Sequence, residues 1–432
     1  MKFFKFEELP DDFFRPLELP FYKKVEEIVN AVKKKGDEAV RRYTKLYDRV
    51  DINSLKINEE EILQGKEKVK REFIQDLKMM ISLVKKFSLR QKKKIKNFTL
   101  EVEKGVFAGQ RVIPIERVGI YVPGGRYPLF SSLIMAAVPA QAAGVKEIAV
   151  ATPPDKAGRI SPEILAASSL LEISEVYKMG GIQAIAALAL GTETIKPVDK
   201  IVGPGNIYVN AAKKYLFGEV GIDFVAGPTE IMIIGDKEAD PELVASDLIA
   251  QAEHDPSSQA VLVTDSIILA NKIQEEIPQQ LENLKTDKTA GKALTENGWV
   301  ILVSKLKEAA FIANRKAPEH LELHLENSKK IIPELKNYGT LFIGSYAAEA
   351  IGDYCGGVNH ILPTNSAARY CGSLGVRDFL KIQNTLRLTR KGIKKVGPTA
   401  ERLALKEGLE GHASSIRKRR EGGRSPKGHP SP

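Results

Sequence analysis

Apolar residues recur with a helical period near the start of the chain and with a period of two soon afterwards. The positions that set the helical period over 22–47 are Val25, Ile28, Val29 and Val32. A similar pattern over 59–92 predicts further helix. Between residues 98 and 122 apolar and polar residues alternate, which is typical of strands joined by tight turns. The first part of the chain therefore predicts long amphipathic helices followed by short strands.

Short apolar runs and helical stretches alternate between Ile120 and about Gly235. The apolar runs are IYVPGG, EIAVAT, EVYKMG, KIVGPG and DFVAG. Helices are predicted between them, over 131–143, 161–171, 182–190 and 206–216. Because strands that alternate with helices form parallel sheets, this segment predicts an α/β domain.

The same alternation resumes after the turn at 226–228. Its apolar runs are EIMIIGD, QAVLVTD, WVILVS, LELHL and TLFIG, with helices predicted over 240–253, 267–281, 305–315 and 327–336. We therefore predict two similar α/β domains with boundaries near 118 and 230, and we expect the N-terminal helices to pack on the second. After Phe379 the pattern predicts a strand and a helix without a sheet of their own, an extension of the kind that often docks on a neighbouring subunit.

The formal net charge of +10 raises the possibility of a nucleic-acid partner. Half of this excess lies in residues 413–432, which hold six basic residues and one acid and are rich in Gly, Pro and Ser. Such a segment predicts a disordered basic tail. The remaining lysine runs lie near acids at helical spacing, which favours solvated helix faces, so no nucleic-acid partner is expected.

Membrane and disulfide-based architectures are disfavoured. Acidic residues interrupt the N-terminal segment MKFFKFEELPDDFF, and no apolar run approaches the ~20 residues that span a bilayer. The chain has two cysteines, Cys355 and Cys371, too few for a disulfide framework or a multi-cysteine zinc site. We expect a cytoplasmic protein with no membrane partner, in which Cys355 is a small buried thiol.

Histidines provide the sharpest chemical signal, because all six lie after residue 253. His324 alternates within LELHL and His429 lies in the tail, which favours structural roles for both. The other four each follow a polar residue at short range, in the pairs Gln251 and His254, Glu319 and His320, Asp353 and His360, and Glu407 and His412. Nitrogen and oxygen ligands without a thiolate suit a catalytic zinc ion, which a dehydrogenase or a metal-dependent hydrolase would use equally well.

Glycine-rich turns give a weaker signal for a dinucleotide. The segment VGPGN at 202–206 follows an apolar run and opens a predicted helix, where backbone N–H groups would meet a phosphate. Only Gly203 and Gly205 match the dinucleotide fingerprint, because position 208 is Tyr. The turn at 121–125 is explained equally well by a tight backbone turn with no ligand.

Seven motifs together resemble the histidinol dehydrogenase family, in the order and spacing of that family and over residues 20 to 417. They are GIYVPGGRYPLFSSLIMAAVPAQAAG (119–144), VDKIVGPGNIYVNAAK (198–213), GIDFVAGPTEIMII (221–234), DLIAQAEHDP (247–256), NRKAPEHLEL (314–323), GDYCGGVNHILPT (352–364) and EGLEGHASSIR (407–417).

The resemblance implies a role for each matching position. The expected ligands of one zinc ion per subunit, which also contact substrate, are Gln251, His254, Asp353 and His412. The expected acid/base pair is Glu319 and His320, and His320 also contacts substrate. Further substrate contacts are implied for Thr229, His360 and Glu407. The implied NAD contacts are Tyr121, Gln183 and Asn206.

The resemblance also implies a fold and a reaction. The expected fold is α/β, with two incomplete Rossmann-like domains that have parallel sheets, and small terminal extensions used in dimerisation. The implied divisions are an N-terminal extension (1–20), a domain with the zinc and acid/base residues (21–118 plus 230–375), an NAD-binding domain (119–229), a C-terminal extension (376–417) and a disordered tail (418–432). The C-terminal extension would enter the partner's active site in a homodimer. The implied reaction is the oxidation of L-histidinol through L-histidinaldehyde to L-histidine with two NAD, the last step of histidine biosynthesis.

Overall fold

The computed structural model describes residues 1–16, 23–124 and 128–422. Its α-helices are α1 (Lys23–Tyr47), α2 (Glu59–Glu67), α3 (Arg71–Lys92), α4 (Phe130–Ala143), α5 (Pro162–Leu170), α6 (Gly181–Leu190), α7 (Ile207–Leu216), α8 (Pro241–Ala252), α9 (Ile267–Leu281), α10 (Asp287–Asn297), α11 (Leu306–Lys316), α12 (Glu349–Tyr354), α13 (Arg390–Lys406) and α14 (Glu410–Glu421). Among the described residues, no helix combines the length and the apolar character needed to cross a membrane.

The strands form three sheets. They are β1 (Lys2–Lys5), β2 (Phe98–Glu103), β3 (Val106–Pro114), β4 (Arg117–Tyr121), β5 (Glu147–Thr152), β6 (Glu175–Lys178), β7 (Lys200–Val202), β8 (Gly221–Ile222), β9 (Glu230–Gly235), β10 (Gln259–Thr264), β11 (Gly298–Leu302), β12 (His320–His324), β13 (Thr340–Ile343) and β14 (Leu380–Leu388). The chain divides into two compact units, the first formed by residues 1–91 and 115–379 and the second by 92–114 and the chain from 380 onward.

A six-stranded parallel sheet in the first unit has the order β1-β11-β10-β9-β12-β13. Alternate residues of β9 face opposite sides, so Ile231 and Ile233 pack in the core beneath α8 and α9. Met232 and Ile234 pack in the other core, with apolar residues of α11 and with Phe13. Because both faces are covered, the inner strands β9, β10 and β11 are almost continuously apolar, as expected for a parallel sheet.

A five-stranded parallel sheet, also in the first unit, has the order β6-β5-β4-β7-β8. The parallel α/β fold predicted from the alternating pattern is confirmed by these two sheets. The expectation that the N-terminal helices pack on the second α/β segment is wrong for α1, because Val25 and Ile28 share a core with Ile182 and Ile185 of α6. Helix α2 also packs on this half, where Gly65 lies against the side chain of Leu165.

Several local predictions differ from the structure. The segment predicted as a helix over 327–336 forms two short 3-10 turns, Ser328–Lys330 and Ile332–Glu334, and Pro333 lacks the N–H that a continuous helix needs. The DFVAG segment is not a strand, since β8 ends at Ile222. Helix α10 and strand β1 were not predicted, and β1 joins the sheet only through its pairing with the distant β11.

The second unit combines a three-stranded antiparallel sheet, in the order β14-β3-β2, with the hairpin of α13 and α14. Glu401 of α13 binds Arg417 and Arg420 of α14 and so ties the hairpin together. Gly408 provides the positive φ of 78° that reverses the chain after α13. The predicted disordered tail begins too early, because α14 continues through Glu421, while residues 423–432 lie outside the described residues.

Buried Arg117 links three strands of the five-stranded sheet at their amino ends. Its guanidinium donates to Glu175 of β6 at 2.7 and 3.0 Å and to Glu147 of β5 at 2.9 Å. The hydrogen bond from Arg117 is the largest cause that lowers the pKa of Glu175 below its ordinary value of 4.5.

Replacing Arg117 by Met should lower the free energy of unfolding by roughly 2 to 4 kcal/mol at neutral pH, because Glu175 loses its bidentate partner. The folded-state pKa of Glu175 is depressed, so the wild-type advantage is complete above pH 4.5 and is lost as the pH falls through that folded-state value. Urea unfolding at neutral and acidic pH measures both effects. Lys196→Met, which removes an exposed partner of Glu147, is the control and should cost at most about 1 kcal/mol. Equal losses for the two variants would contradict this role of Arg117.

Candidate active site at the amino edge of the six-stranded sheet

The predicted acid/base pair lies where β9 and β12 begin. Glu319 immediately precedes β12, His320 is its first residue, and His320 is in register with Ile231 of β9. Both side chains are buried. Because neighbouring parallel strands start at the same edge of a sheet, the residues before and at the start of β9, Thr229 and Glu230, lie beside this pair.

The main chain of Glu230 contacts both members of the pair. Its N–H donates to Glu319 Oε2 at 3.0 Å, and its carbonyl oxygen lies 3.1 Å from His320 Nδ1. A carbonyl oxygen only accepts, so the proton of the imidazole is on Nδ1. This hydrogen bond leaves the lone pair on Nε2. The Glu230 side chain is itself fixed by Lys316 Nζ, 3.1 Å away.

Burial shifts the pKa values of the pair in opposite directions. It raises the pKa of Glu319 to about 8, although hydrogen bonds from Thr229 and Glu230 act against this shift. It lowers the pKa of His320 to about 4, although the negative charge of Asp353 acts against it. At neutral pH the pair is therefore largely uncharged, as expected for an acid and a base inside a low-dielectric site.

Helix α8 places Gln251 next to Thr229. Its amide Nε2 donates to Thr229 Oγ1 at 2.5 Å, and the Thr229 hydroxyl in turn donates to Glu319 Oε2 at 2.5 Å. The amide oxygen Oε1 of Gln251 is buried and has no hydrogen-bond partner among the described residues. A buried acceptor without a partner is costly, so this oxygen marks a position where a ligand would bind.

His254 lies beyond the end of α8 and not on it. The helix was predicted over 240–253 but ends at Ala252, and His254 is exposed in the turn that follows. His254 is still close to the site, because its charge is among those that lower the pKa of Asp353.

Helix α12 supplies Asp353 and a residue that the sequence did not indicate, Glu349. Ligand atoms of His320, Glu349 and Asp353 all lie within 4.8 Å of one another. Burial would raise the pKa of Asp353, but a hydrogen bond from His360 and the charges of nearby histidines lower it to about 2. Glu349 and Asp353 are four residues apart, so they lie on the same face of a helix. A prediction of α12 would therefore have indicated Glu349 as a further site residue.

His360 connects this edge to the five-stranded sheet. Its Nδ1 lies 3.1 Å from the main-chain oxygen of Asp353, and its Nε2 lies 3.5 Å from Ser132 Oγ on α4. The neighbouring Asn359 donates to the carbonyl of Met135 at 2.6 Å. The amino edge of the six-stranded sheet therefore faces α4, which follows strand β4.

The residues expected to contact NAD lie near the carboxyl ends of β4, β6 and β7. Strand β4 lies between β5 and β7, so the order of the sheet reverses there, and such a reversal is where α/β sheets bind dinucleotides. The Tyr121 hydroxyl accepts from the N–H of Gly181 at 3.1 Å, and Gln183 has a buried Oε1 for which the described part of the chain offers no hydrogen-bond partner. Asn206 is exposed and caps α7.

Gly203 makes the turn after β7 possible. Its φ is +116°, and a Cβ at this position would overlap the carbonyl oxygen of Tyr121. Its N–H donates to Asp223 Oδ2 at 2.8 Å, and its carbonyl accepts from buried Lys213 at 3.1 Å. The turn therefore presents bare backbone beside Tyr121, just before the N-terminus of α7.

Glu407 and His412 belong to the second unit. Glu407 follows the last residue of α13, His412 lies in the first turn of α14, and both are exposed in the single chain. The other ten residues expected at the site belong to the first unit.

The sequence predicted no ligand role for three further residues, Cys355, Cys371 and His324. Cys355, expected to be buried, is exposed because it lies in the turn that ends α12. Cys371 is partly buried, and its Sγ donates to Ala367 O at 3.2 Å. His324 lies on β12 as predicted, in a buried cluster with Asp247 and Glu322.

Comparison with known proteins agrees over almost the whole chain. The family model described as histidinol dehydrogenase matches residues 19–420. The histidinol dehydrogenase of Thermotoga maritima is 44% identical over 402 residues, which cover 92% of this chain and 93% of that protein. The histidinol dehydrogenase of Clostridium acetobutylicum is 43% identical over 397 residues, with 92% of each chain covered.

A solved structure shares the fold. The crystal structure of histidinol dehydrogenase from Elizabethkingia anophelis superimposes with a TM-score of 0.92 at 36% sequence identity, and 98% of each chain is covered.

Proposed function

Because the chain belongs to the histidinol dehydrogenase family, the oxidoreductases of histidine biosynthesis, we propose that it oxidises L-histidinol through L-histidinaldehyde to L-histidine with two NAD. The proposal places the reaction at one zinc ion per subunit. It is supported above all by the proximity, at one buried edge, of Thr229, Gln251, Glu319, His320, Asp353 and His360.

The residues present fit a zinc ion. The unpartnered Oε1 of Gln251, the ionised carboxylate of Asp353 and the imidazole of His254 give a set of oxygen and nitrogen donors without thiolate. We assign the fourth protein ligand to His412. A bound zinc ion would hold the imidazole and amino nitrogens of histidinol and so fix its carbinol group in the site.

His320 is the proposed base for the substrate hydroxyl. The hydrogen bond from Nδ1–H to the Glu230 carbonyl fixes the tautomer and leaves Nε2 able to accept a proton. The ring is buried, so its orientation is set by packing rather than by solvent. His360, which contacts Asp353, would contact the substrate from the α4 side.

Glu319 is the proposed base for the water that attacks the aldehyde. The Thr229 hydroxyl and the Glu230 N–H both donate to Oε2, so these hydrogen bonds hold the carboxyl group by one of its two oxygens. The other oxygen, Oε1, would take the proton of a water molecule in the ionised form of Glu319, whose population grows as the pH rises towards the raised pKa of about 8. Burial of this group also limits the access of bulk water to the aldehyde.

The turn at Gly203 and the segment around Tyr121, Gln183 and Asn206 suit the NAD molecule, which when bound would accept the hydride. The observations that fit are the close backbone approach at Gly203, the N-terminus of α7 and the unpartnered Oε1 of Gln183. We propose that residues 119–229 bind NAD and that 21–118 plus 230–375 carry the zinc and acid/base residues.

We further propose a homodimer in which the C-terminal extension enters the active site of a second copy. One face of the sheet in the second unit carries apolar residues that are each more than half exposed, namely Phe98, Leu100, Ile382 and Leu386. An exposed apolar face of this kind favours association. The same unit carries Glu407 and His412, which would then contact the substrate and the zinc ion of the second copy.

Histidinol added to the zinc-loaded enzyme should reduce two NAD per molecule, seen as the absorbance of reduced nicotinamide. The Asp353→Asn variant should lose bound zinc and activity, since the metal would lose its carboxylate ligand. Cys355→Ser, a change on the exposed turn that ends α12, should retain both. Metal analysis of the purified proteins accompanies the assay. A chain that binds zinc but reduces no NAD, as expected for a metal-dependent hydrolase, would refute the proposal.

Shared active sites predict complementation between inactive variants. When His412→Asn and Glu319→Gln subunits are mixed in equal amounts and reassembled, half of the dimers are hybrids with one intact site, so activity should recover to about a quarter of wild type. Mixing Glu319→Gln with His320→Asn is the matched control. It should recover nothing, because both residues come from the same subunit. Absence of recovery in the first mixture, with exchange of subunits verified, would rule out a shared site.

A further inference from the structure

A second group of buried polar residues lies behind the proposed site. Side chains of a strand alternate between faces, so His320, Glu322 and His324 of β12 point to the same side. Asp247 of α8 completes the group: His324 Nε2 lies 3.5 Å from Asp247 Oδ2 and 3.5 Å from Glu322 Oε2. Glu322 is 1% exposed. A carboxyl group buried this completely needs specific partners.

Glu322 contacts a different partner with each carboxylate oxygen. Oε2 faces His324, while Oε1 accepts from the main-chain N–H of Glu349 at 2.6 Å. Glu349 is the first residue of α12, and a first-turn N–H has no acceptor within its own helix. Because Glu349 is also buried, water cannot replace this hydrogen bond. Glu322 therefore fixes the start of α12 to the middle of β12.

Helix α12 carries two of the groups at the site although it is only six residues long. Because a helix of this length is not stable by itself, its position depends on contacts with other parts of the fold. Glu349 Oε1 lies 3.4 Å from His320 Nε2, and Asp353 follows one turn later. A second contact limits its position at Gly352, where a Cβ would lie 2.6 Å from the ring of Phe342.

The charge of His324 would hold Glu322 in place. Burial alone would lower the pKa of His324, but the nearby carboxyl groups of Asp247 and Glu322 raise it to about 9. His324 is therefore a cation at neutral pH and lies 3.5 Å from an oxygen of each carboxyl group, where it opposes the burial that raises the pKa of Glu322 to about 7. Pairing of this kind fixes the direction of a carboxylate more strongly than a neutral neighbour would.

We propose that Glu322, held by His324 and Asp247, is a positioning residue that fixes α12 and thereby places Asp353 for metal binding and Glu349 beside His320. This inference rests on the proposed function in taking Asp353 as a zinc ligand. Glu322 itself contacts neither substrate nor metal in this account. Its effect passes through the backbone of Glu349, in the way that outer partners orient metal ligands.

Two substitutions at Glu322 separate positioning from general stability. Glu322→Leu removes the acceptor for the Glu349 N–H, whereas Glu322→Gln retains an oxygen that accepts it. In chelator competition with the zinc-loaded enzyme, the dissociation constant for zinc should rise about tenfold or more for Glu322→Leu. It should stay within about threefold of wild type for Glu322→Gln, even though both variants lose the ion pair with His324 and unfold at lower temperature.

Leu323→Ala is the matched control, because Leu323 is the next residue on β12 and packs in the apolar core on the opposite face. It should lower the unfolding temperature without changing the affinity for zinc. If Glu322→Leu retains the zinc affinity of Leu323→Ala, the positioning role is overturned. Asp353→Asn separates failure of the positioning role from failure of the proposed metal site, since unchanged zinc binding in that variant would overturn the metal site instead.

His324→Gln tests the inference if Glu322→Leu does not fold. This variant keeps Glu322 but removes the cation that holds it. We expect zinc binding about threefold weaker than wild type and a lower kcat at saturating zinc, with KM for NAD unchanged. Wild-type zinc affinity and kcat in a folded His324→Gln protein would overturn the part of the proposal in which His324 holds Glu322.

Discussion

The main chain of Glu230 is the constraint on which the proposed site depends. Its N–H and its carbonyl bind the two members of the proposed acid/base pair, Glu319 and His320, from one residue. Their spacing is therefore set by the parallel pairing of β9 with β12, which is part of the buried sheet, and not by a mobile loop. The same contact selects the tautomer of His320. A site built in this way is preorganised before any substrate binds.

In the proposed function, the two parallel sheets contribute opposite edges to the reaction. In the five-stranded sheet the residues expected to bind NAD lie at the carboxyl ends of the strands, as is usual for this fold class. In the six-stranded sheet the proposed acid/base pair lies at the amino ends, and α8 and α12 bring Gln251 and Asp353 to that edge. The contact between His360 and Ser132 joins the two edges. Several buried groups there lack partners or have shifted pKa values, which is common where function opposes stability.

Local periodicity predicted most helices and strands, because burial on one or both faces imposes a pattern that the sequence displays. It did not predict that β1 pairs with β11 or that α1 packs against α6, since these contacts join segments distant in sequence. The candidate site residues were predicted from the uneven histidines and from the family resemblance. Glu349 and Glu322 were missed because a six-residue helix has too few turns for a periodic signal, and because a polar residue within a strand does not reveal its partner.

Neutron diffraction from a deuterated crystal of the zinc-loaded enzyme at neutral pH is the most direct test of the central claim, that Glu230 holds His320 as a neutral base. We expect a deuteron on Nδ1 of His320, directed at the Glu230 carbonyl, and none on Nε2. A deuteron on Nε2, with or without one on Nδ1, would contradict that claim.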